Sequence, residues 1–285
     1  MSVLPRELRC MSTSVKSSSR EKASFFRRIN LRFPWLKIFV VLFIGAIASL
    51  DLLDYTISKS SELTGAFPTT PMSKHVKATE RTLKGKKLVA LTFDDGPSPS
   101  TTPALLDILS EKNTVATFFM LGTMADNSPE IVKRARREGH EIASHTMYHQ
   151  NLAVLSRDAV QSDVDESKSV FSSILGTTPR LTRPPYGLIN DAVIESTNTP
   201  LILWSVDPED WENRDASTIV SIAMEQVHDG AIILMHDIYS TSVDAVPILI
   251  DSLHDQGYEF ATISELAEAR KTTLVSGEYY YNFAP

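Results

Sequence analysis

The stretch KLVALTFDDGPSPS, residues 87–100, joins a short apolar run to two adjacent aspartates and a Gly-Pro turn. The apolar part, KLVALTF, has the length and composition of a buried β-strand. Asp94 and Asp95 follow it directly, and neighbouring carboxylates repel each other unless a cation lies close by or one of them serves as a base. The stretch therefore predicts a strand that delivers two acidic groups to a site.

The chain beyond residue 100 alternates strand-like and helix-like segments. Further strands are predicted at VATFFML, HEIASH, RLTR, LILWS, AIILMH and YEFATI. Helices are predicted at PALLDILSEK, at SPEIVKRARREG, at 157–175 with Ser156 as N-cap, and near 191–195, 216–228, 243–256 and 264–270. This alternation predicts an α/β fold of about seven parallel strands, and it does not separate a closed barrel from an open sheet.

The unusual polar clusters of the sequence each follow a predicted strand. They are Asp94 and Asp95 after the first strand, His145 after the third, Arg183 after the fourth, residues 207–211 after the fifth and His236 after the sixth. The carboxyl ends of parallel strands share one face, and active sites of α/β proteins are built there. We therefore expect these clusters to converge.

SHTMYH places His145 and His149 four residues apart. If the chain is helical from Thr146 onward, both imidazoles lie on one side and can bind one ion. Two histidines and one carboxylate form a catalytic zinc set with a position left open for water. One aspartate of the Asp94–Asp95 pair would then bind the metal, and the other would be free to take a proton from water.

RPPYG follows the fourth predicted strand and is stiffened by two prolines. The rigid backbone holds the N–H of Tyr186 in a defined place, where it could donate to an oxyanion. Arg183 could be an ordinary surface arginine, or it could hold one aspartate ionised through a bidentate pair.

VDPEDW and AIILMHD add acidic groups, an indole and a histidine to the same face. Asp207 and Asp210 could cap a turn, and Trp211 could belong to the core. If Asp210 instead reaches the ring of His236, it would raise the pKa of that imidazole and keep it protonated as a general acid.

The N-terminal region differs in charge from the rest of the chain. Residues 1–37 hold nine Lys/Arg against two Glu, a balance of +7, which leaves −14 for the remainder of a chain whose total is −7. An acidic remainder gives no support for nucleic-acid binding. Behind the basic segment, residues 38–50 carry no charge. Basic residues followed by an apolar run predict a membrane-targeting segment, either a cleaved signal peptide or an uncleaved anchor.

Under either interpretation, the acidic part of the chain is exported. We expect a cell-membrane protein with one span and an extracellular domain, or a protein secreted after cleavage near Ala48-Ser49. The single cysteine, Cys10, precedes the apolar run, so the exported part must be stable without a disulfide.

Five motifs in order, TFDDGP, SHTMYH, RPPYG, DPEDW and LMHD, resemble the signatures of the polysaccharide deacetylases of carbohydrate esterase family four, the NodB-homology group. The resemblance covers residues 87–270 and includes the peptidoglycan N-acetylglucosamine deacetylases of that family. It implies a distorted (β/α) barrel with fewer strands than a regular one, here about seven parallel strands preceded by the membrane-targeting segment.

The resemblance also implies a role for each motif residue. Asp95, His145 and His149 would bind a divalent ion, normally Zn²⁺. Asp94 would be the base, tethered by Arg183. His236 would be the acid, tuned by Asp210. The N–H of Tyr186 would share the oxyanion with the metal, and Trp211 and Leu234 would line the pocket for the acetyl methyl group.

By this resemblance we expect a metal-dependent hydrolase that removes N-acetyl groups from an extracellular glycan, with peptidoglycan first and chitin or its oligomers second. An acetylxylan O-deacetylase is the close chemical alternative. A non-catalytic, membrane-attached glycan-binding protein is the alternative from another class. The expected organisation is a basic cytoplasmic segment (1–37), a signal peptide or anchor (38–54), a linker (55–85), the catalytic domain (86–270) and a tail (271–285).

Overall fold

The structure, a computed structural model, describes residues 83–285. The basic segment 1–37, the targeting segment 38–54 and the linker up to residue 82 lie outside the described residues. Within residues 83–285, none of the helices combines the length and hydropathy needed to cross a bilayer.

Strands and helices alternate along most of the described chain. The strands are β1 (Lys87–Asp94), β2 (Thr117–Met120), β3 (Glu141–Ser144), β4 (Leu201–Ile202), β5 (Ala231–His236), β6 (Tyr258–Phe260) and β7 (Tyr279–Tyr280). The α-helices are α1 (Thr102–Glu111), α2 (Gly122–Asn127), α3 (Pro129–Arg137), α4 (Arg157–Leu175), α5 (Asp191–Thr197), α6 (Ala216–Gln226), α7 (Ser240–Asp255) and α8 (Ile263–Ala269). Short 3₁₀ turns span Leu152–Val154 and Pro185–Gly187. The predicted cap of α4 is confirmed, since the Ser156 side chain accepts from the N–H of Ala159.

The main sheet is built around β1. Its strand order is β3-β2-β1-β5, and β6 pairs with the first half of β1 while β2 pairs with the second half. These pairings are parallel, and every residue of β1 after Lys87 is buried, as expected for a strand covered on both faces. The predicted parallel α/β fold class is confirmed.

The expected barrel of about seven strands is not closed. The strands form a five-stranded sheet and a separate two-stranded sheet of β4 with β7. RLTR is not a strand, because Thr182 makes only single bridges to Ser144 and Leu201. Pro184 and Pro185 follow at once and have no N–H with which to continue a ladder.

The last strand comes from the C-terminal tail, in which the sequence pattern indicated no element. β7 pairs in parallel with β4, and Phe283 behind it is 3% exposed. The ring of Phe283 stacks on Tyr280, with centroids 5.6 Å apart. The tail therefore packs on the fold and supplies part of its core.

Alternate residues of β1 enter two different hydrophobic clusters. Val89, Leu91 and Phe93 join the larger cluster, whereas Leu88 and Ala90 join the smaller one with β4 and the tail. Side chains alternate along a strand, so Asp94 points to the side of Leu88 and Ala90. This alternation places the first acidic group on the inner side of the sheet, at its carboxyl edge.

Candidate active site

Asp95, His145 and His149 form one cluster, although they come from two different loops. One ligand atom from each side chain lies within 4.8 Å of the other two. Oδ1 of Asp95 is 3.5 Å from Nε2 of His145 and 3.3 Å from Nε2 of His149. The three residues expected to bind a metal are therefore brought together.

The hydrogen bonding and protonation of these side chains suit the binding of a divalent cation. Oδ1 of Asp95 is buried and has no hydrogen-bond partner among the described residues, which leaves a carboxylate oxygen unsatisfied. Nδ1 of His145 lies 2.7 Å from the carbonyl oxygen of Arg183, a bond that requires Nδ1 to carry the proton and leaves Nε2 with its lone pair. Burial lowers the pKa of His145 to about 3, so this imidazole is neutral, as a ligand must be.

The two histidines do not meet on a helix, as the spacing suggested. Residues 145–149 form an irregular turn, in which Thr146 and His149 both adopt positive φ, 73° and 56°. The backbone of Asp95 is also in the left-handed region, with a φ of 74°. The ligand geometry is therefore created by loops with uncommon backbone conformations rather than by helical periodicity.

Asp94 is held by Arg183, which is completely buried. Nη1 of the guanidinium donates to Oδ1 of Asp94 at 2.7 Å and to Oγ1 of Thr92 at 2.9 Å. Its Nε and Nη2 donate to the carbonyls of Ile202 and Leu203. The pair is a single contact, not the bidentate pair considered above, because backbone carbonyls take the other donors. Burial raises the pKa of Asp94, and the charges of Arg183 and His236 oppose that rise.

His236 is held by Asp210, which is also fully buried. Oδ1 of Asp210 lies 2.8 Å from Nδ1 of the imidazole, and Oδ2 accepts the backbone N–H of His236 at 2.8 Å. Burial of His236 disfavours the imidazolium, but the hydrogen bond and charge of Asp210 outweigh it and raise the pKa of His236 to about 9. The imidazole is therefore protonated at neutral pH, with Nε2 left to donate.

Strand register places further side chains beside these two groups. In the pairing of β1 with β5, Thr92 is opposite Leu234 and Asp94 is opposite His236. Leu234 and His236 are two residues apart, so they point to the same side. Leu234 is buried, whereas Trp211 is 48% exposed in the loop that carries Asp210.

Tyr186 lies beside the cluster of Asp95, His145 and His149. Its ring centroid is 4.7 Å from that of His149, in an edge-to-face arrangement, and its side chain is 61% exposed. Its backbone is left-handed, with φ of 61°. The sequence predicted a rigid backbone here from the two prolines, and the structure adds the direct ring contact with His149.

Several residues that support the site were missed by the sequence reasoning. Oγ of Ser242 donates to Oδ2 of Asp210 at 2.5 Å, and Oγ1 of Thr102 donates to Oδ2 of Asp237 at 2.5 Å. A Cβ on Gly96 would clash with the buried carboxylate of Asp237, so any other residue here would displace Asp237. The serine carried no local signal, whereas Asp237 stood in the LMHD motif without a role.

Comparisons with known proteins decide the family. Residues 82–199 match the sequence profile of the polysaccharide deacetylase family. A peptidoglycan-N-acetylglucosamine deacetylase of Bacillus cereus is 39% identical over 189 residues, which are 64% of this chain and 88% of that protein. The chain belongs to the polysaccharide deacetylase family. Members that it resembles also include the peptidoglycan-N-acetylmuramic acid deacetylase PdaC of Bacillus subtilis, 44% identical over 186 residues. That match covers 65% of this chain and 40% of PdaC.

A solved structure of this family of deacetylases gives the same fold. The family 4 acetyl xylan esterase from Clostridium thermocellum, in complex with a cobalt ion, superposes with a TM-score of 0.66 at 30% identity. The superposition covers 69% of this chain and 98% of that one. In this chain, the fold brings residues of the polysaccharide deacetylase motifs together at one edge of the main sheet.

Proposed function

We propose that this protein is a metal-dependent deacetylase that hydrolyses N-acetyl groups of peptidoglycan. The observation that carries the proposal is that a candidate base, Asp94, and a candidate acid, His236, both lie beside the cluster of Asp95, His145 and His149. Asp94 is fixed by Arg183, His236 is fixed by Asp210, and the unsatisfied oxygen of Asp95 faces two imidazole nitrogens between the same loops.

Asp95, His145 and His149 would hold the metal ion, with Zn²⁺ as the preferred candidate. Nitrogen and carboxylate donors suit zinc, and three protein ligands leave a position open for water or substrate. Bound there, a divalent cation lowers the pKa of a water ligand and polarises a carbonyl oxygen. The cobalt ion named for the related acetyl xylan esterase supports a divalent cation in this fold.

Asp94 would take the proton from the attacking water. Its Oδ1 is engaged by Arg183, and its Oδ2 lies 3.7 Å from Nε2 of His145, on the side of the ligand cluster. Burial favours the protonated carboxyl, which makes Asp94 a stronger base than an exposed aspartate. The water oxygen would then form a bond with the acetyl carbonyl carbon, while the N–H of Tyr186 donates to the carbonyl oxygen.

His236 would give its proton to the departing nitrogen as the C–N bond breaks. An amine is a poor leaving group unless it is protonated, so an amide requires this acid. The raised pKa of His236, about 9, keeps the imidazole protonated at neutral pH. This argues for N-deacetylation over the O-deacetylation of acetylxylan, in which the leaving alcohol needs less help. The products are acetate and a free amino sugar.

The substrate would be held at the face that carries Trp211, Tyr186 and Leu234. We propose that Leu234 and Trp211 receive the acetyl methyl group, since Leu234 is buried on the same side of β5 as His236 and Trp211 is exposed next to Asp210 in the chain. Trp211 and Tyr186 present open aromatic surface, which suits the apolar faces of sugar rings. Peptidoglycan is preferred over chitin oligomers because PdaC and the Bacillus cereus relative are both named for it. N-acetylglucosamine remains the first choice of sugar.

We further propose that the polysaccharide deacetylase domain is exported. This rests on the basic segment and the uncharged run of residues 38–50, and on the location of the polymer outside the cell. Mass spectrometry of the N-terminus in membrane and medium fractions tests it. An intact N-terminus in membranes indicates an anchor, a new N-terminus after residue 48 indicates a cleaved signal, and cytosolic full-length protein contradicts export.

An acetate-release assay tests the enzymatic proposal. The full-length protein is incubated with peptidoglycan, chitin oligomers and acetylxylan, with a chelator, and with Zn²⁺ or Co²⁺ restored after chelation. We expect metal-dependent acetate release, fastest on peptidoglycan. Preference for acetylxylan would favour the O-deacetylase. Binding to peptidoglycan without acetate release from any of the three would favour a non-catalytic binding protein, and chelator-resistant activity would contradict the metal.

A further inference from the structure

The loop that carries His145 and His149 has a backbone that a free peptide rarely adopts. Thr146 has a φ of 73° and His149 a φ of 56°. A β-branched residue is disfavoured in the left-handed region, because its Cβ substituents crowd the backbone. Contacts from elsewhere in the fold must therefore hold this loop in the conformation that presents both imidazoles.

A carboxylate on α4 provides such a contact. Asp163 is 3% exposed, and its Oδ1 accepts the N–H of Met147 at 2.7 Å, between the two left-handed residues. Burial raises the pKa of Asp163, and the backbone N–H groups of Met147 and Tyr148 oppose that rise. An acidic side chain is therefore buried against the backbone of the metal-ligand loop.

Two further residues on the same face of α4 contact this loop. Glu166 accepts from the hydroxyl of Tyr148 at 2.6 Å. Oγ of Ser167 is 3.0 Å from Oγ of Ser144, which in turn accepts the N–H of Thr146 at 3.2 Å. Positions 163, 166 and 167 are neighbours on one side of a helix. One face of α4 thus holds the loop before Thr146 and again between its two left-handed residues.

The start of α2 also binds the backbone of this loop. The N–H of Gly122 donates to the carbonyl of Thr146 at 2.9 Å, and that of Thr123 donates to the carbonyl of Met147 at 3.2 Å. A Cβ on Gly122 would lie 3.3 Å from Cα of Met147 and 3.3 Å from Cα of Ser167. The loop has little room to relax, so its conformation depends on the groups that clamp it.

We propose that Asp163 is a positioning residue for the metal centre, which sets the metal affinity by fixing the loop that carries His145 and His149. This inference rests on the proposed metal-dependent function. Asp163 binds the backbone of Met147, two residues from each histidine, so its effect reaches the metal through the orientation of the imidazoles. Residues that orient ligands in this way contribute strongly to affinity.

The test compares Asp163→Ala with Asp165→Ala in the full-length protein. Asp165 is exposed on the same helix, so the control removes the same charge without touching the loop. The dissociation constant for Co²⁺ is measured by competition with a chelator, together with the visible absorption of the bound ion. We expect about 10- to 100-fold weaker binding and an altered spectrum in Asp163→Ala, and wild-type values in Asp165→Ala.

A second readout follows the loop itself. Hydrogen exchange at the amide of Met147 should accelerate in Asp163→Ala and stay unchanged in the control, because the buried acceptor is lost. If Asp163→Ala does not fold, Asp163→Asn retains an acceptor oxygen but loses the charge, and we expect weaker Co²⁺ binding than in wild type. Wild-type affinity in a folded Asp163→Ala, or in Asp163→Asn when that variant must stand in, overturns the positioning role alone. Failure of the wild-type protein to bind Co²⁺ or Zn²⁺ overturns the proposed function as well.

Discussion

Asp94 and His236 are register partners in the parallel pairing of β1 with β5. Adjacent strands lie about 4.8 Å apart, so the sheet itself fixes the separation of the two groups proposed to move protons. Each is then held by a buried partner of opposite charge from another element, Arg183 for Asp94 and Asp210 for His236. The proposed base and acid are therefore positioned by two neighbouring strands of the main sheet.

Replacement of the proposed base should abolish turnover without emptying the metal site. In Asp94→Asn the amide can still accept from Arg183, but it cannot take a proton from water. We expect the acetate-release rate to fall by at least about 100-fold, with bound metal unchanged by elemental analysis. Asp244→Asn, an exposed aspartate of α7, is the matched control. Near-normal turnover in Asp94→Asn would remove Asp94 from the role of base.

Loss of a proposed ligand should lower metal binding and activity together. We expect His149→Ala to weaken Co²⁺ binding by more than the roughly 100-fold that loss of a supporting residue can cause. His254→Ala removes an exposed histidine of α7 and should bind the ion as the wild type does. A His149→Ala protein with full metal content would show that the ligand set is wrong.

The pH profile reports on the pair formed by His236 and Asp210. A general acid must be protonated, so activity should be lost as the pH rises through the pKa of His236, about 9. In Asp210→Asn the charge that raises this pKa is gone while burial still lowers it. The alkaline limb of kcat/KM should therefore move to a pH below about 9, while the charges of Asp94 and Asp95 continue to favour the imidazolium.

Ser242→Ala is the control for that experiment, because it removes one hydrogen bond to Asp210 and leaves the carboxylate in place. Its alkaline limb should shift less than that of Asp210→Asn. An unchanged limb in Asp210→Asn would mean that another group supplies the proton.

The C-terminal tail should be required for stability. Phe283 is almost fully buried and stacks on Tyr280, so Phe283→Ala removes a large core side chain. We expect the free energy of unfolding in urea to fall by about 3–5 kcal/mol. Tyr281→Ala, in the same segment but half exposed, should change it by about 0.5 kcal/mol or less. Equal effects of the two substitutions would contradict a core role for the tail.

Much of the site could be predicted because its residues follow strands in sequence. Asp94, His145 and His236 each stand at or directly after the end of a strand. Since parallel strands share their carboxyl edge, the order of motifs along the chain was enough to predict that these groups meet. The support for His236 by Asp210 was also anticipated, and the structure gives it two hydrogen bonds.

The backbone conformation that brings His145 and His149 together could not be predicted in the same way. A spacing of four residues favours a helix, yet residues 145–149 form a turn whose conformation depends on Asp163 and Gly122. Backbone conformations of this kind are imposed by contacts with distant elements and leave no local pattern. Ser242 was missed for the same reason, since it reaches Asp210 from 32 residues away.

The sequence by itself determined the α/β class, the limits of most helices and the identity of the groups that could share one site, because periodicity and residue chemistry are local properties. Only the tertiary structure decided that the barrel does not close, that the tail supplies β7, and that Asp163 reaches the loop of the two histidines. These features depend on contacts between residues far apart along the chain. Those contacts are stabilised by burial that exists only in the folded state, so no single segment of the sequence reveals them.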